Sequence, residues 1–333
     1  MMDYEEAKTT FSKLFEGKMG ESEARELLVT LYKEGESADE IAATASVMRS
    51  HAIKLPVSKD LQEKLIDNCG TGGDKSNSFN VSTTVSLLLS AAGSYVAKHG
   101  NRSITSKSGS ADMLEVLDIN LSLPPKQQVT MLEEVGFTFI FAQNHHPAMK
   151  YIMPIRKSLS HRTIFNILGP LTNPAGVKKQ LIGVFSDTYI QRIADALVRL
   201  GSENVMVVSS KDGMDEISIC DVTYANYAGK ELTIDPSKYG LKLAPKEEII
   251  GGDASQNAII TQGIVKGDIK DAKRDIVLIN TAAALMVDGK ARDLQDGLEI
   301  VREVLDSGKA WAHLEKIIKI SNQLYPKGRL ERS

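Results

Sequence analysis

Apolar positions along this chain change their period twice. In the first stretch they fall three or four residues apart. EARELLVTLYKEG (23–35) sets Leu27, Leu28, Leu31 and Tyr32 at helical spacing and stops at Gly35. SADE (37–40) then reads as a capping box, the Ser37 hydroxyl taking a backbone N–H while Glu40 reaches back, and IAATASVM supplies small side chains suited to close helix contact. These patterns predict a helical domain over residues 1–65, joined by helices from the 145–175 region.

From residue 64 the pattern shortens to apolar runs between glycine-bearing loops. Strands are predicted at KLIDNCGTGG (64–73), SYVAKHGNR (94–102), GFTFIFA (136–142), QLIGVFS (180–186) and ENVMVVSS (203–209). Helices are predicted between them at 80–93, 109–118 and 187–201. Alternation of this kind predicts a mostly parallel central sheet flanked by helices, an α/β domain covering 66–333. VTYANYAGKELTID (222–235) alternates with period two around a turn and predicts an edge hairpin, after which 253–265, 270–288, 293–307 and 309–322 return to long helices.

Composition narrows the picture little. At 333 residues two domains are expected, and a formal net charge of −3 offers no footprint for nucleic acid or an anionic membrane. The most apolar run, IVLINTAAALMV (276–287), is too short and polar to span a bilayer and reads as a buried helix. The acidic start MMDYEEAK lacks the layout of a secretion signal, and two cysteines, Cys69 and Cys220, are expected to stay reduced; a cytoplasmic protein is expected.

The chemistry gathers in loops. CGTGGDKSNSFNVST (69–83) places glycines between a strand and a helix start, where unpaired N–H groups and the helix dipole favour an anion. It matches neither the dinucleotide pattern nor the P-loop, and Asp74 beside a phosphate calls for Mg²⁺ or a sugar hydroxyl between them. Asn80, Ser82 and Thr83 can cap the helix or turn to the ligand. A second donor-rich loop, KHGNRSITSKSGSADMLE (98–115), would meet the first at the carboxyl edge of the sheet, and their convergence suggests two phosphate groups on one ligand. Arg156 and Arg162 are candidates for a planar carboxylate, with surface ion pairs as the plainer reading. GPLTNP (169–174) is a rigid turn without an evident task. His145 and His146 adjoin in sequence, a poor arrangement for one metal, so one of them is expected to line a cleft. Asp215 and Glu216, expected at the entry to a strand, suit Mg²⁺, with an exposed acidic turn as the plainer reading of the pair by itself.

Taken in order, GTGGD (70–74), FNVST (79–83), KHGNR (98–102), SKSGSAD (106–112), HPAMK (146–150), RTIFNILGPLTNP (162–174) and DE (215–216) resemble the anthranilate phosphoribosyltransferase family, of the nucleoside-phosphorylase-type phosphoribosyltransferase fold. The likeness covers nearly the whole chain. It implies transfer of 5-phosphoribosyl from phosphoribosyl pyrophosphate to the anthranilate amine in tryptophan biosynthesis, with no strong base and with positioning by Arg156 and Asn101. By the resemblance the donor would be bound by Gly70, Gly73, Asp74, Ser78, Asn80, Val81, Ser82, Thr83, Lys98, His99, Gly100, Asn101, Arg102, Ser103, Ile104, Thr105, Ser106 and Ser110. Anthranilate would meet Gly70, His99, Asn101, His146, Arg156 and Gly169, and Ser82, Asp215 and Glu216 would hold Mg²⁺, two ions with the pyrophosphate.

The resemblance also implies a homodimer through the helical domain and an anthranilate synthase glutaminase subunit as a further partner. The chain departs from the family pattern at Ser78, where threonine is usual, at Ser160 and His161, and at Asp118, where glycine is usual. Two rival readings are a pyrimidine nucleoside phosphorylase-like enzyme on the same fold and a non-catalytic nucleic-acid-binding relative. KHGNR with RTIFNILGPLTNP points away from the first; the net charge and the intact acids disfavour the second.

Overall fold

The computed structural model describes residues 1–102 and 107–325. Among them, seven strands form one sheet: β1 (Leu65–Gly70), β2 (Tyr95–Gly100), β3 (Phe137–Phe141), β4 (Lys179–Gly183), β5 (Asn204–Ser210), β6 (Thr223–Tyr227) and β7 (Lys230–Ile234). Their order is β3-β2-β1-β4-β5-β6-β7. The first five in that order run parallel, and β6 and β7 form the expected antiparallel hairpin at one edge. Chain order reverses between β1 and β4, and at such a point the loops diverge to leave a crevice at the carboxyl ends of the strands.

The helices begin with α1 (Tyr4–Phe15), α2 (Glu21–Glu34), α3 (Ala38–Ser50) and the single turn α4 (Lys59–Gln62). Between the strands come α5 (Val81–Ala91), α6 (Ser110–Val116), α7 (Pro125–Val135), the short α8 (Ala142–His145) and α9 (Met153–Lys157), then α10 (Ile190–Arg199). The chain closes with α11 (Ala254–Lys266), α12 (Ala272–Asp288), α13 (Leu294–Asp306) and α14 (Lys309–Leu324). Helix α7 is absent from the sequence reading. It starts on Pro124–Pro125 and ends with Gly136 in the left-handed region, so prolines that suggest a break in fact set its first turn.

Successive strand residues point to opposite faces, and both faces are covered. Ile66, Val96, Leu181, Met206 and Val208 join α5, α12, α13 and α14 in one core. Ile182, Val184 and Val207 belong to a second core with α1, α2, α3 and α10, which also takes in Ile152, Ile155, Ile164, Phe165 and Leu171. Runs buried on both faces explain why the central strands read as near-continuous apolar stretches. Helix α12 is apolar on nearly all sides because α5, α13 and the sheet enclose it; each large side chain there contributes about 1.5–3 kcal/mol. No described helix is long and apolar enough to cross a membrane. Asp118, where the family pattern has glycine, follows α6 with φ +65°.

Candidate active site

The site is built where β1 and β4 end side by side. Gly70 pairs with Gly183 across the two strands, and the loop after β5 passes directly over both. A Cβ on Gly70 would lie 2.1 Å from the Asp215 carboxylate, and one on Gly183 would lie 1.6 Å from the Asp215 carbonyl oxygen. Glycine at both strand ends therefore lets the acidic loop rest on the sheet edge. Asp215 and Glu216 do not start a strand as expected: β6 begins only at Thr223. Their loop is fixed from below by Asn280 of α12, whose amide donates to the Ile217 carbonyl at 2.7 Å and accepts from its N–H at 2.9 Å.

Three carboxylates then crowd one volume. The Gly72 N–H donates to Asp215 at 2.6 Å, which brings the glycine loop and Asp74 against it. Burial, with Asp74 next to it, pushes Asp215 up to about 7. Burial and then Asp215 drive Glu216 well above the usual carboxylate range, with Lys98 and the Ser82 N–H offsetting part of the effect. Asp74 Oδ2 is buried and receives no hydrogen bond. Asp215 and Glu216 therefore resist ionisation unless a cation joins them. Oxygen-only donors on loops, with the Ser82 hydroxyl on the adjoining helix, match the preference of Mg²⁺.

Above these acids lies the first turn of α5. Asn80 does not cap it. Its side chain instead donates to the Ser108 carbonyl at 3.3 Å and accepts from Asn257 of α11 at 2.9 Å, tying both donor-rich loops to one helix. The Val81 N–H bonds the Phe79 carbonyl, and the Thr83 hydroxyl is buried without a partner. Ser78 forms an antiparallel bridge with Ile250, so the segment before α11 backs the glycine loop. Lys75 is exposed, with φ +61°. Lys98 is only 1 % exposed; its ammonium donates to the Asn68 carbonyl at 2.6 Å and lies 3.5 Å from the Ser82 hydroxyl. Gly100 ends β2 against the Phe139 ring and Ser110. Ser103, Ile104, Thr105 and Ser106 lie outside the described residues. Arg102 is turned aside, bonded to Asp112 and Glu115 of α6, and those partners raise its pKa.

A buried histidine pair occupies the other side. His99 Nδ1 faces the Gly169 carbonyl at 2.9 Å, so it carries the proton, and His99 Nε2 accepts from His146 Nε2 at 3.3 Å. His146 Nδ1 is then a bare acceptor, buried and unpartnered. Burial depresses the pKa to about 3 for His99, with His146 adding to it, and to about 4 for His146, with His145 adding to it, so both rings are neutral. The GPLTNP turn now has a task. Gly169 fixes His99, while Asn173 donates to Asp67 and to the Ala97 carbonyl, each at 2.8 Å, locking β1 to β2.

Arg156 stands in the last turn of α9, half-buried over the Phe165 ring at 5.6 Å. It has no carboxylate partner among the described residues, and burial lowers its pKa. Asn101 accepts from the Arg102 N–H at 2.8 Å, and its carbonyl takes the Ala111 N–H. Cys69 and Cys220 are free thiols.

Sequence reading missed Asn280, Asn173, Asn257 and Gly183. Only Asn280 left a signal, a lone amide in an apolar run. A separate groove of about 590 Å³ lies between α10 and the β6–β7 hairpin, lined by Gln191, Tyr224, Glu231 and Thr233 among others, and none of the residues above lines it.

Residues 62–311 match the model of the glycosyl transferase family a/b domain, and residues 2–52 match that family's helical bundle domain. The anthranilate phosphoribosyltransferase of Methanobrevibacter smithii is 42% identical over 96% of this chain and 96% of its own. That of Alkaliphilus metalliredigens is 46% identical over 93% of this chain and 92% of its own. The crystal structure of the Thermus thermophilus anthranilate phosphoribosyltransferase superposes with a TM-score of 0.92 at 39% identity, covering 97% of this chain and 96% of that one. A Saccharomyces cerevisiae anthranilate phosphoribosyltransferase solved with PRPP and Mg gives a TM-score of 0.84 at 28% identity, covering 91% of this chain and 86% of that one.

Proposed function

Since the chain belongs to the anthranilate phosphoribosyltransferase family, we propose that the residues gathered at the sheet edge carry out that family's transfer of 5-phosphoribosyl from phosphoribosyl pyrophosphate to the anthranilate amine. The observation that carries the assignment of roles is the set Asp74, Asp215 and Glu216 seated against the glycine loop. Asp215 is buried, with half-buried Asp74 and Glu216 near it. Among the described residues no three acidic or histidine side chains are placed to hold a metal by themselves, so a divalent cation would be held here together with the oxygens of a pyrophosphate-bearing donor.

Ser82, Asp215 and Glu216 hold Mg²⁺, two ions with the pyrophosphate, which when bound offset the negative charge that grows on the leaving group. Gly70, Gly73, Ser78 and the first turn of α5 take the donor through backbone N–H and hydroxyl groups, and Lys98 sets its Nζ beside that turn. Arg156 takes the anthranilate carboxylate; a half-buried guanidinium without a carboxylate of its own is suited to receive one. Asn101, Gly169 and the neutral His99–His146 pair line the acceptor side. An aromatic amine is already neutral at pH 7, so orientation replaces deprotonation as the protein's task. The barrier is the anomeric C–O bond, whose breaking leaves positive charge on ribose.

The two-part organisation into 1–65 and 66–333, a homodimer through the helical part, contact with a glutaminase subunit and a cytoplasmic location complete the reading. The deciding measurement follows anthranilate fluorescence with phosphoribosyl pyrophosphate and Mg²⁺. Fluorescence should fall only when all three are present, and Asp215→Asn should slow the fall by about tenfold or more at sub-saturating Mg²⁺. Unchanged Mg²⁺ dependence in that variant would remove the metal assignment.

A further inference from the structure

Arg162 lies six residues beyond Arg156 and serves neither substrate in the reading above, yet its surroundings are specific. Its guanidinium lies over the Phe185 ring, 3.6 Å from the centroid, and donates to the Gly73 carbonyl. No ion pair engages it among the described residues. Gly73 has φ +75°, a left-handed backbone that favours glycine, and a Cβ there would come to 3.3 Å from the guanidinium, close enough that the arginine would have to shift slightly.

The glycine loop is thereby held from two sides. The Gly72 N–H is drawn to Asp215, and the Gly73 carbonyl is drawn to Arg162. One anchor belongs to the acidic cluster and the other to the segment that follows α9. That segment is itself fastened to the helical part of the molecule. Arg25 donates to the Ser158 hydroxyl at 2.8 Å, and His161 stacks on Tyr32 with ring centroids 4.1 Å apart and planes 17° apart. Phe185 in turn meets Tyr189 edge-on at 5.2 Å, and the Tyr189 hydroxyl donates to buried Glu36 at 2.9 Å. The strap from Arg156 to Arg162 thus runs from the acceptor-side guanidinium to the donor loop, with α2 as its backing.

We propose that Arg162 is a positioning residue that latches the glycine loop to the acceptor-side strap, so that seating of the acceptor on Arg156 and seating of the phosphoribosyl donor on residues 70–74 favour one another. The inference rests on the assignment of the donor to the glycine loop given above. A lone carbonyl and a ring face are a modest hold, one that positions a loop without freezing it. Lysine in this place would keep the charge and lose the flat stacking surface.

Steady-state kinetics of Arg162→Ala, Arg162→Lys and Phe185→Leu test the latch, alongside donor titrations with and without anthranilate. Arg162→Ala should raise the KM for phosphoribosyl pyrophosphate about tenfold, leave the KM for anthranilate within about twofold when the donor is saturating, and abolish the mutual tightening of the two ligands. Arg162→Lys should recover part of the donor KM, and Phe185→Leu should shift it in the same direction by a smaller factor. An unchanged donor KM in Arg162→Ala overturns the latch, as does a rise in both KM values that only tracks a lowered melting temperature. If the unmodified protein neither binds the donor nor turns over, the functional reading fails instead.

Discussion

Asn280 shows how one amide can govern chemistry it does not touch. It occupies the only polar position with a side-chain amide in the run 276–287, and it closes both backbone bonds of Ile217, the residue next to Glu216. Asn280→Leu keeps the volume and removes both bonds. Each buried backbone group left without a partner costs about 1–3 kcal/mol, so a loss of about 2–4 kcal/mol is expected in urea unfolding. The looser acidic loop should also demand more Mg²⁺ for half-maximal activity. Stability lost without a shift in the Mg²⁺ titration would show that Asn280 supports the core alone. Side chains of this kind were hard to read from sequence because their partners lie far along the chain: 63 residues away for Asn280 and 106 for Asn173 with Asp67. The glycine cluster and the acidic pair, in contrast, announce themselves locally.

Among the elements, periodicity served well wherever an element had one wet face or two buried ones. Helices α2, α3 and α10, the five parallel strands and the hairpin were all legible on that basis. Helix α7 was not, because its start on two prolines resembles a turn, and Asn80 was open to reading as a cap although its side chain serves the neighbouring loop instead. The capping box of α3 is present as expected, and the structure adds a second bond to it. Glu40, only 1 % exposed, accepts from the Ser37 N–H at 2.9 Å and from the Met2 N–H at 2.8 Å, joining the start of the chain to α3. Glu40→Ala therefore strands two donors, where an ordinary capping box would lose one. The expected loss is about 2 kcal/mol, against about 1 kcal/mol for Ser37→Ala, by chemical unfolding with transfer activity per folded molecule unchanged. Equal losses in the two variants would show that the Met2 bond adds nothing.

At the scale of the whole molecule, ionisable groups buried in opposite senses set how stability responds to acid. His99, His146 and His313 have folded pKa values of about 3, 4 and 4, all depressed mainly by burial. An unfolded histidine titrates near 6.5, so between that value and the folded one the unfolded chain binds more protons, and stability falls as pH falls. Asp67, Asp215 and Glu216 act the other way. Burial raises their folded pKa values, so they bind protons more readily in the native state and add stability as pH falls toward the unfolded carboxylate range. The net acid response is a difference between two groups of similar number, and a total slope would not separate them. His313 does. It sits on α14 against Ser90 of α5, on the core side of the sheet and away from the acids. Replacing it, as His313→Gln, removes one depressed histidine and leaves the carboxylates alone. Plotted against pH from 6.5 to 4.5, unfolding free energy of the variant should decline less steeply than that of the parent, by a difference approaching about 1.4 kcal/mol per pH unit, somewhat less because the ring is half-buried. Parallel curves would mean that His313 takes up protons as readily in the folded protein as in the unfolded chain. A variant curve that falls more steeply would reverse the sign assigned to it.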